Sequence, residues 1–152
     1  MIHYLEEDRK EKSLNRPVAK KWLLEVIKQE GKKPGVVNYI FCSDEFLVKV
    51  NIEFLKRDYF TDVISFDYTE NDVISGDIMI SVDRVAENAS TMGVSYLEEL
   101  NRIMVHGLLH LIGYEDSTKE FKAIMTAKED LYLVSPVNES NIQRKTTYAE
   151  GI

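Results

Sequence analysis

Apolar positions along the chain follow two rhythms, an alternating or continuous β-type pattern early and a helical pattern late. Residues 2–5 suit a short first strand. Asn15 followed by Pro17 marks a helix entry, because proline is pre-organised for the first turn and its missing N–H is not needed there. Ala19, Trp22, Leu23, Val26 and Ile27 then recur at helical spacing until Gly31. The run 36–42 is rich in β-formers and predicts a strand. Ser43 can cap a helix through about residue 54, with Phe46, Leu47, Val50 and Phe54 on its inner face. The segments 61–67 and 76–82 predict two buried strands, joined by a polar loop and able to pair as a hairpin.

After the hairpin the pattern turns helical. Ser81 or Asp83 caps a helix carrying Val85, Ala86, Ala89 and Met92, stopped at Gly93. Ser95 with Glu98 forms a capping box, each side chain satisfying a free backbone N–H of the other. It opens a helix with Leu97, Leu100, Ile103, Met104, Leu108 and Leu111, stopped at Gly113. Ser117 with Glu120 repeats the box and predicts a last helix carrying Phe121, Ile124, Met125, Lys128 and Leu131. The fold class is therefore α+β, one small mixed sheet of about four strands with about five helices. A single domain is expected over residues 1–135, followed by a polar tail over 136–152.

With 152 residues, 44% of them hydrophobic, the chain can close one core. Cys42 is the single cysteine, so no internal disulfide forms. The N-terminal residues mix acids and bases where an export signal needs an apolar run. The longest largely apolar stretch, 103–114, falls short of the ~20 residues of a membrane helix. A soluble cytoplasmic protein is expected. The net charge of −7 excludes coating of nucleic acid by bulk charge and leaves only a local basic patch. Lys20, Lys21, Lys32, Lys33, Arg57 and Arg84 are the available cations, each of which also suits an ordinary solvated face.

The chemistry concentrates in residues 106–116, HGLLHLIGYED. On a helix, His106 and His110 lie on one face and can offer two imidazoles to one metal ion. Gly113 can turn the chain back, and Asp116 follows in position to close on the same ion. Two nitrogens, one carboxylate oxygen and an open fourth place form a catalytic zinc arrangement. The alternative is a pair of hydrogen-bonded core histidines, with Asp116 capping the last helix. The pattern is similar to the metzincin protease motif, but Gly107 stands where those proteases carry their water-activating glutamate, which disfavours proteolysis.

The segment more closely resembles the YbeY family of bacterial metal-dependent endoribonucleases, whose signature runs H-G-x-L-H-L-x-G-Y-D-H. Asn51, the block Thr61-Asp62-Val63-Ile64-Ser65-Phe66 and the block Gly76-Asp77-Ile78 match the family's upstream pattern in order. The resemblance spans roughly residues 36–133. It implies one zinc ion per chain, held by His106, His110 and Asp116, with other divalent transition metals as substitutes. It further implies a single-strand-specific endoribonuclease in which metal-activated water attacks the phosphodiester, acting in ribosomal RNA maturation and ribosome quality control with the small ribosomal subunit as partner. Two departures stand out. Asp116 occupies the place of the family's third histidine, and the added negative charge makes a metal-activated water less acidic. Leu55 stands where the family carries an arginine, and Arg57 lies two residues on as a substitute.

Catalytic roles are expected for Arg57, offsetting charge on the phosphate, and for Glu115, as a base beside a ligand. Thr61, Asp62, Ser65, Gly76 and Asp77 are the expected substrate-binding positions. Phe60, Phe66 and Tyr68 are candidates for stacking on bases, although aromatics at strand positions are more often core. The alternatives are a ribosome-associated assembly factor with weak or no nuclease activity, or a metal-dependent hydrolase of another substrate.

Overall fold

The computed structural model describes residues 1–133, so the expected boundary at 135 and the tail 136–152 lie outside the described residues. The elements are β1 (Ile2–Glu6), α1 (Arg16–Gln29), β2 (Lys33–Cys42), α2 (Asp44–Leu55), β3 (Val63–Asp67), β4 (Val73–Ser81), α3 (Val82–Met92), α4 (Tyr96–Ile112) and α5 (Lys119–Leu133). The four strands form one mixed sheet in the order β1-β2-β4-β3. β1, β2 and β4 run parallel, with α1 as the crossover between the first two. β3 pairs antiparallel with β4 as the predicted hairpin and forms the sheet edge.

Alternation along the strands splits the apolar residues between two faces. Val37, Tyr39, Phe41, Ile78 and Ile80 join Trp22, Leu23 and Ile27 of α1 and Leu100, Met104 and Leu108 of α4 in the main core. Cys42, Leu47, Ile64 and Met79 form a smaller cluster on the opposite face, under α2. Each fully buried side chain of this kind contributes about 1.5–3 kcal/mol. Burial, reinforced by nearby acids such as Asp8 and Glu7, pushes the Cys42 thiol up to about 12, so it behaves as a core apolar group. No helix among the described residues is long and apolar enough to cross a membrane.

Helix entries follow local chemistry. Asn15, Ser43, Ser81 and Ser95 each accept a backbone N–H at the start of α1, α2, α3 and α4. Several expectations are corrected. β2 and β4 begin earlier than expected, pairing Lys33 and Pro34 with Val73 and Ile74 ahead of a bulge. Thr118, not Ser117, caps α5 by accepting the Phe121 N–H at 3.0 Å. Phe54 is exposed, its ring edge-on to Phe66, and Asn51 rather than Phe54 shares the buried face of α2 with Leu47. Met92 of α3 is also exposed. In α5 the buried set is Met125, Glu129 and Tyr132, whereas Phe121, Ile124 and Leu131 face out.

Candidate metal centre

α4 carries the centre because its apolar stripe docks on the sheet while the adjoining face stays half open. Ser95 receives the Glu98 N–H at 3.0 Å and fixes the helix start. Gly107 sits where α4 meets β4, and a Cβ there would fall 2.6 Å from the Ile78 Cγ2. Gly113 has φ +121°, a conformation that L side chains rarely adopt, and turns the chain so that Asp116 returns over the last helical turn.

His106 and His110 bring their Nε2 atoms 3.1 Å apart. The Asp116 Oδ2 lies 3.4 Å from the first and 3.3 Å from the second. Donors bound tetrahedrally at zinc distances sit about 3.3–3.6 Å from one another, so the triangle fits such an ion with little adjustment. The hydrogen bonds behind it agree. His110 Nδ1–H donates to the Tyr114 carbonyl at 3.0 Å, and His106 Nδ1–H donates to the Glu129 carboxylate at 2.6 Å. Both Nε2 atoms then present lone pairs to a carboxylate oxygen, a mutually repulsive set that a cation reconciles. Burial disfavours the His106 imidazolium, but the Glu129 hydrogen bond and the charges of Glu129, Asp116 and Asp62 outweigh it and raise its pKa above the usual histidine value.

Glu129 is itself held. Arg102, one turn before His106, donates to it at 2.8 Å and to Asp130 at 2.9 Å. Sequence reasoning missed this pair. Its signal was present: Met125, Glu129 and Tyr132 fall at i, i+4 and i+7, an inward stripe that contains a charge.

The triad opens into a cleft of about 490 Å³. Asn51, Leu55, Arg57 and Tyr59 line it, together with Thr61 and Asp62 just before β3 and Ser65 and Asp67 on that strand. The Ser81 N–H bonds to Asp62 O and the Tyr68 N–H to Ser75 O, which sets the even-numbered residues of this strand against β4. By the alternation of an antiparallel ladder, the N–H and C=O groups of Val63, Ser65 and Asp67 point out from the sheet edge.

Of the expected substrate-binding residues, Thr61, Asp62 and Ser65 line this cleft with the histidines, as does Arg57. Gly76 and Asp77 do not. A Cβ on Gly76 would meet the Phe66 carbonyl at 2.4 Å and Leu111 at 2.8 Å, so this glycine serves close packing. Asp77 accepts a hydrogen bond from the Asn38 amide at 2.9 Å across the sheet. Glu115 is exposed and outside the cleft lining. Asp62 accepts from the Asn88 amide at 3.2 Å. Among the other cations, Lys32 pairs with Asp72 and Arg84 with Asp44. Phe66 packs against the smaller cluster, and Tyr68 is exposed but outside the cleft lining.

The family model described as Endoribonuclease YbeY matches residues 4–135. A protein named Endoribonuclease YbeY from Flavobacterium johnsoniae is 51% identical over 109 residues, covering 72% of this chain and 78% of the relative. The protein of the same name from Cytophaga hutchinsonii is 44% identical over 133 residues, covering 87% and 93%. The solution structure of TM1509 from Thermotoga maritima superposes with a TM-score of 0.68 at 30% identity, covering 97% of this chain and 93% of that one.

Proposed function

The chain belongs to the Endoribonuclease YbeY family, and from that premise we propose that it is a zinc-dependent endoribonuclease cutting unpaired RNA. The observation that carries this reading is the convergence of His106, His110 and Asp116 at mutual distances of 3.1–3.4 Å on the wall of an open cleft. We extend the reading to ribosomal RNA maturation and ribosome quality control in the cytoplasm, with the small ribosomal subunit as partner. That extension is supported by the motif resemblance.

His106, His110 and Asp116 would hold the ion, which supplies Lewis acidity toward a phosphoryl oxygen and lowers the pKa of water at its open position. The chain's own groups arrange the substrate. Outward N–H groups of Val63 and Ser65 can donate to phosphate oxygens, and the Thr61 and Ser65 hydroxyls can meet a 2′-hydroxyl. Arg57, which lines the same cleft, offsets charge that builds on the phosphate as the bond to the leaving oxygen lengthens. Asp62 lines the cleft and is the carboxylate better placed than Glu115 to take a proton. Glu129 and the Tyr114 carbonyl keep both imidazoles in the tautomer that leaves Nε2 free.

The departure at Leu55, which lines the cleft at the place of a family arginine, favours a second reading, an assembly factor that binds RNA with little turnover. One experiment separates them. Purified protein should carry about one transition-metal ion per chain and cleave single-stranded ribosomal RNA, with cleavage stopped by chelator and restored by zinc. His110→Ala should lose both metal and cleavage. RNA binding without metal-dependent cleavage favours the assembly factor, and cleavage persisting in a His106→Ala, His110→Ala protein overturns the nuclease assignment.

A further inference from the structure

The end of α2 and the segment that joins it to β3 expose aromatic and aliphatic surface at the cleft. Ile52, Phe54, Leu55, Tyr59 and Phe60 are all exposed large hydrophobic residues. This is not a loose loop. The Asn51 side chain, only 1% exposed, donates to the Tyr59 carbonyl at 3.0 Å, and the Asn51 carbonyl accepts the Arg57 N–H at 3.1 Å. Lys56 ends α2 in the left-handed conformation, φ 58°, which is costly for a residue with a side chain. The buried Asn51 amide and carbonyl therefore hold the lip in one shape and impose the left-handed turn at Lys56.

The joining segment thus carries two successive aromatics, of which Tyr59 lines the cleft and is 54% exposed. Phe60, also 54% exposed, has the Arg84 guanidinium 5.2 Å from its ring centroid. Arg84 is in turn fixed by Asp44 at 2.9 Å, so the half-exposed Phe60 ring is backed by a held cation. Lys56 and Arg57 are exposed in the same segment. Rings with few cations, on a molecule of net charge −7, suit a strand whose bases are free to stack more than a duplex that presents only phosphates.

Building on the ribonuclease reading, we propose that Tyr59 and Phe60 form a base-stacking platform for the unpaired nucleotides flanking the scissile phosphate, and that Asn51 is its positioning residue. The platform selects single strands because bases within a duplex have no free face to offer. Most of its affinity is non-ionic.

The test is equilibrium binding of a short fluorescent 2′-O-methyl RNA, as a single strand and annealed to its complement, across a salt series. Tyr59→Ala and Phe60→Ala should each weaken single-strand binding about 5- to 150-fold. Tyr59→Phe and Phe60→Tyr should restore it, with metal content unchanged throughout. The slope of log affinity against log salt should stay the same in the aromatic variants and become shallower by roughly 0.7 in Arg57→Gln. Asn51→Leu should weaken binding as the ring variants do, without changing the slope. Wild-type affinity in both alanine variants, or equal affinity for duplex and single strand, overturns the platform. The two readings fail separately. Ring-dependent binding by a protein that cleaves no RNA counts against the nuclease alone, whereas cleavage with unchanged KM in both alanine variants counts against the platform alone.

Discussion

At the scale of single residues, Gly107 shows how packing and chemistry constrain one position. In a helix interior, glycine costs about 1 kcal/mol relative to alanine, so helix propensity alone favours replacement. Here a Cβ would stand 2.6 Å from the Cγ2 of Ile78, which is fully buried on β4, and 3.3 Å from the Ser65 Oγ. Overpacking of this kind costs about 1–3 kcal/mol and should outweigh the propensity gain. Relief requires α4 to rise from the sheet, carrying the neighbouring His106 with it. Gly107→Ala is therefore expected to lower the unfolding free energy by about 1 kcal/mol and to weaken metal binding, read by urea titration and by competition with a chelating dye. A variant as stable as wild type with full metal affinity would show that the sheet yields locally. The same crowding explains why the position cannot hold the glutamate of the protease motif.

At the scale of elements, α5 acts as the brace of the candidate metal centre. It supplies Glu129 to His106, and Arg102 of α4 reaches back to both Glu129 and Asp130. Partners that orient a ligand histidine are typically worth 10- to 100-fold in metal affinity. Glu129→Ala should lose about that factor, and Arg102→Ala less, because the carboxylate would keep its contact with His106. Titration against a competing chelator measures both, and unchanged affinity in Glu129→Ala would remove the brace from the account. The brace also marks where the sequence stops being readable. α4 was legible because its capping box, apolar stripe and terminal glycine all agree, and with it the triad spacing. α5 is legible as a helix, but its inward face is not, because much of its contact is polar: Glu129 meets His106, Tyr132 meets Glu30, and the Tyr132 carbonyl takes the Trp22 N–H at 2.9 Å. Apolar periodicity counts Phe121, Ile124 and Leu131 instead, all of which face out. The early starts of β2 and β4 were hidden for a related reason, since Lys33, Pro34 and Gly35 look like a turn until a partner strand lies beside them.

At the scale of the whole molecule, the centre depends on a junction remote from it in sequence. Glu30, which closes α1, has an almost buried carboxylate that accepts the Tyr114 O–H at 2.5 Å, the Lys128 ammonium at 3.0 Å and the Tyr132 O–H. It thereby ties α1 and α5 to the turn whose Tyr114 carbonyl orients His110. Burial alone would raise the Glu30 pKa, but the hydrogen bonds from Tyr114, Tyr132 and Lys128, with the Lys128 charge, outweigh it and hold the carboxyl below its ordinary value of 4.5. A depressed carboxyl pKa stabilises the fold above the unfolded-state value, and that contribution is lost as pH falls through the folded-state value. Glu30→Gln removes the charge and leaves two tyrosine hydroxyls and an ammonium short of an acceptor, at a cost of about 2 kcal/mol near neutrality. The stability gap between wild type and variant should thus be full at pH 7 and close progressively below 4.5, as measured by urea denaturation along a pH series. Metal affinity at neutral pH should fall in the same variant, because the Tyr114 turn loses its tether. A gap that stays constant through the acid range would mean that packing at the junction, not the charge of Glu30, holds the three segments together.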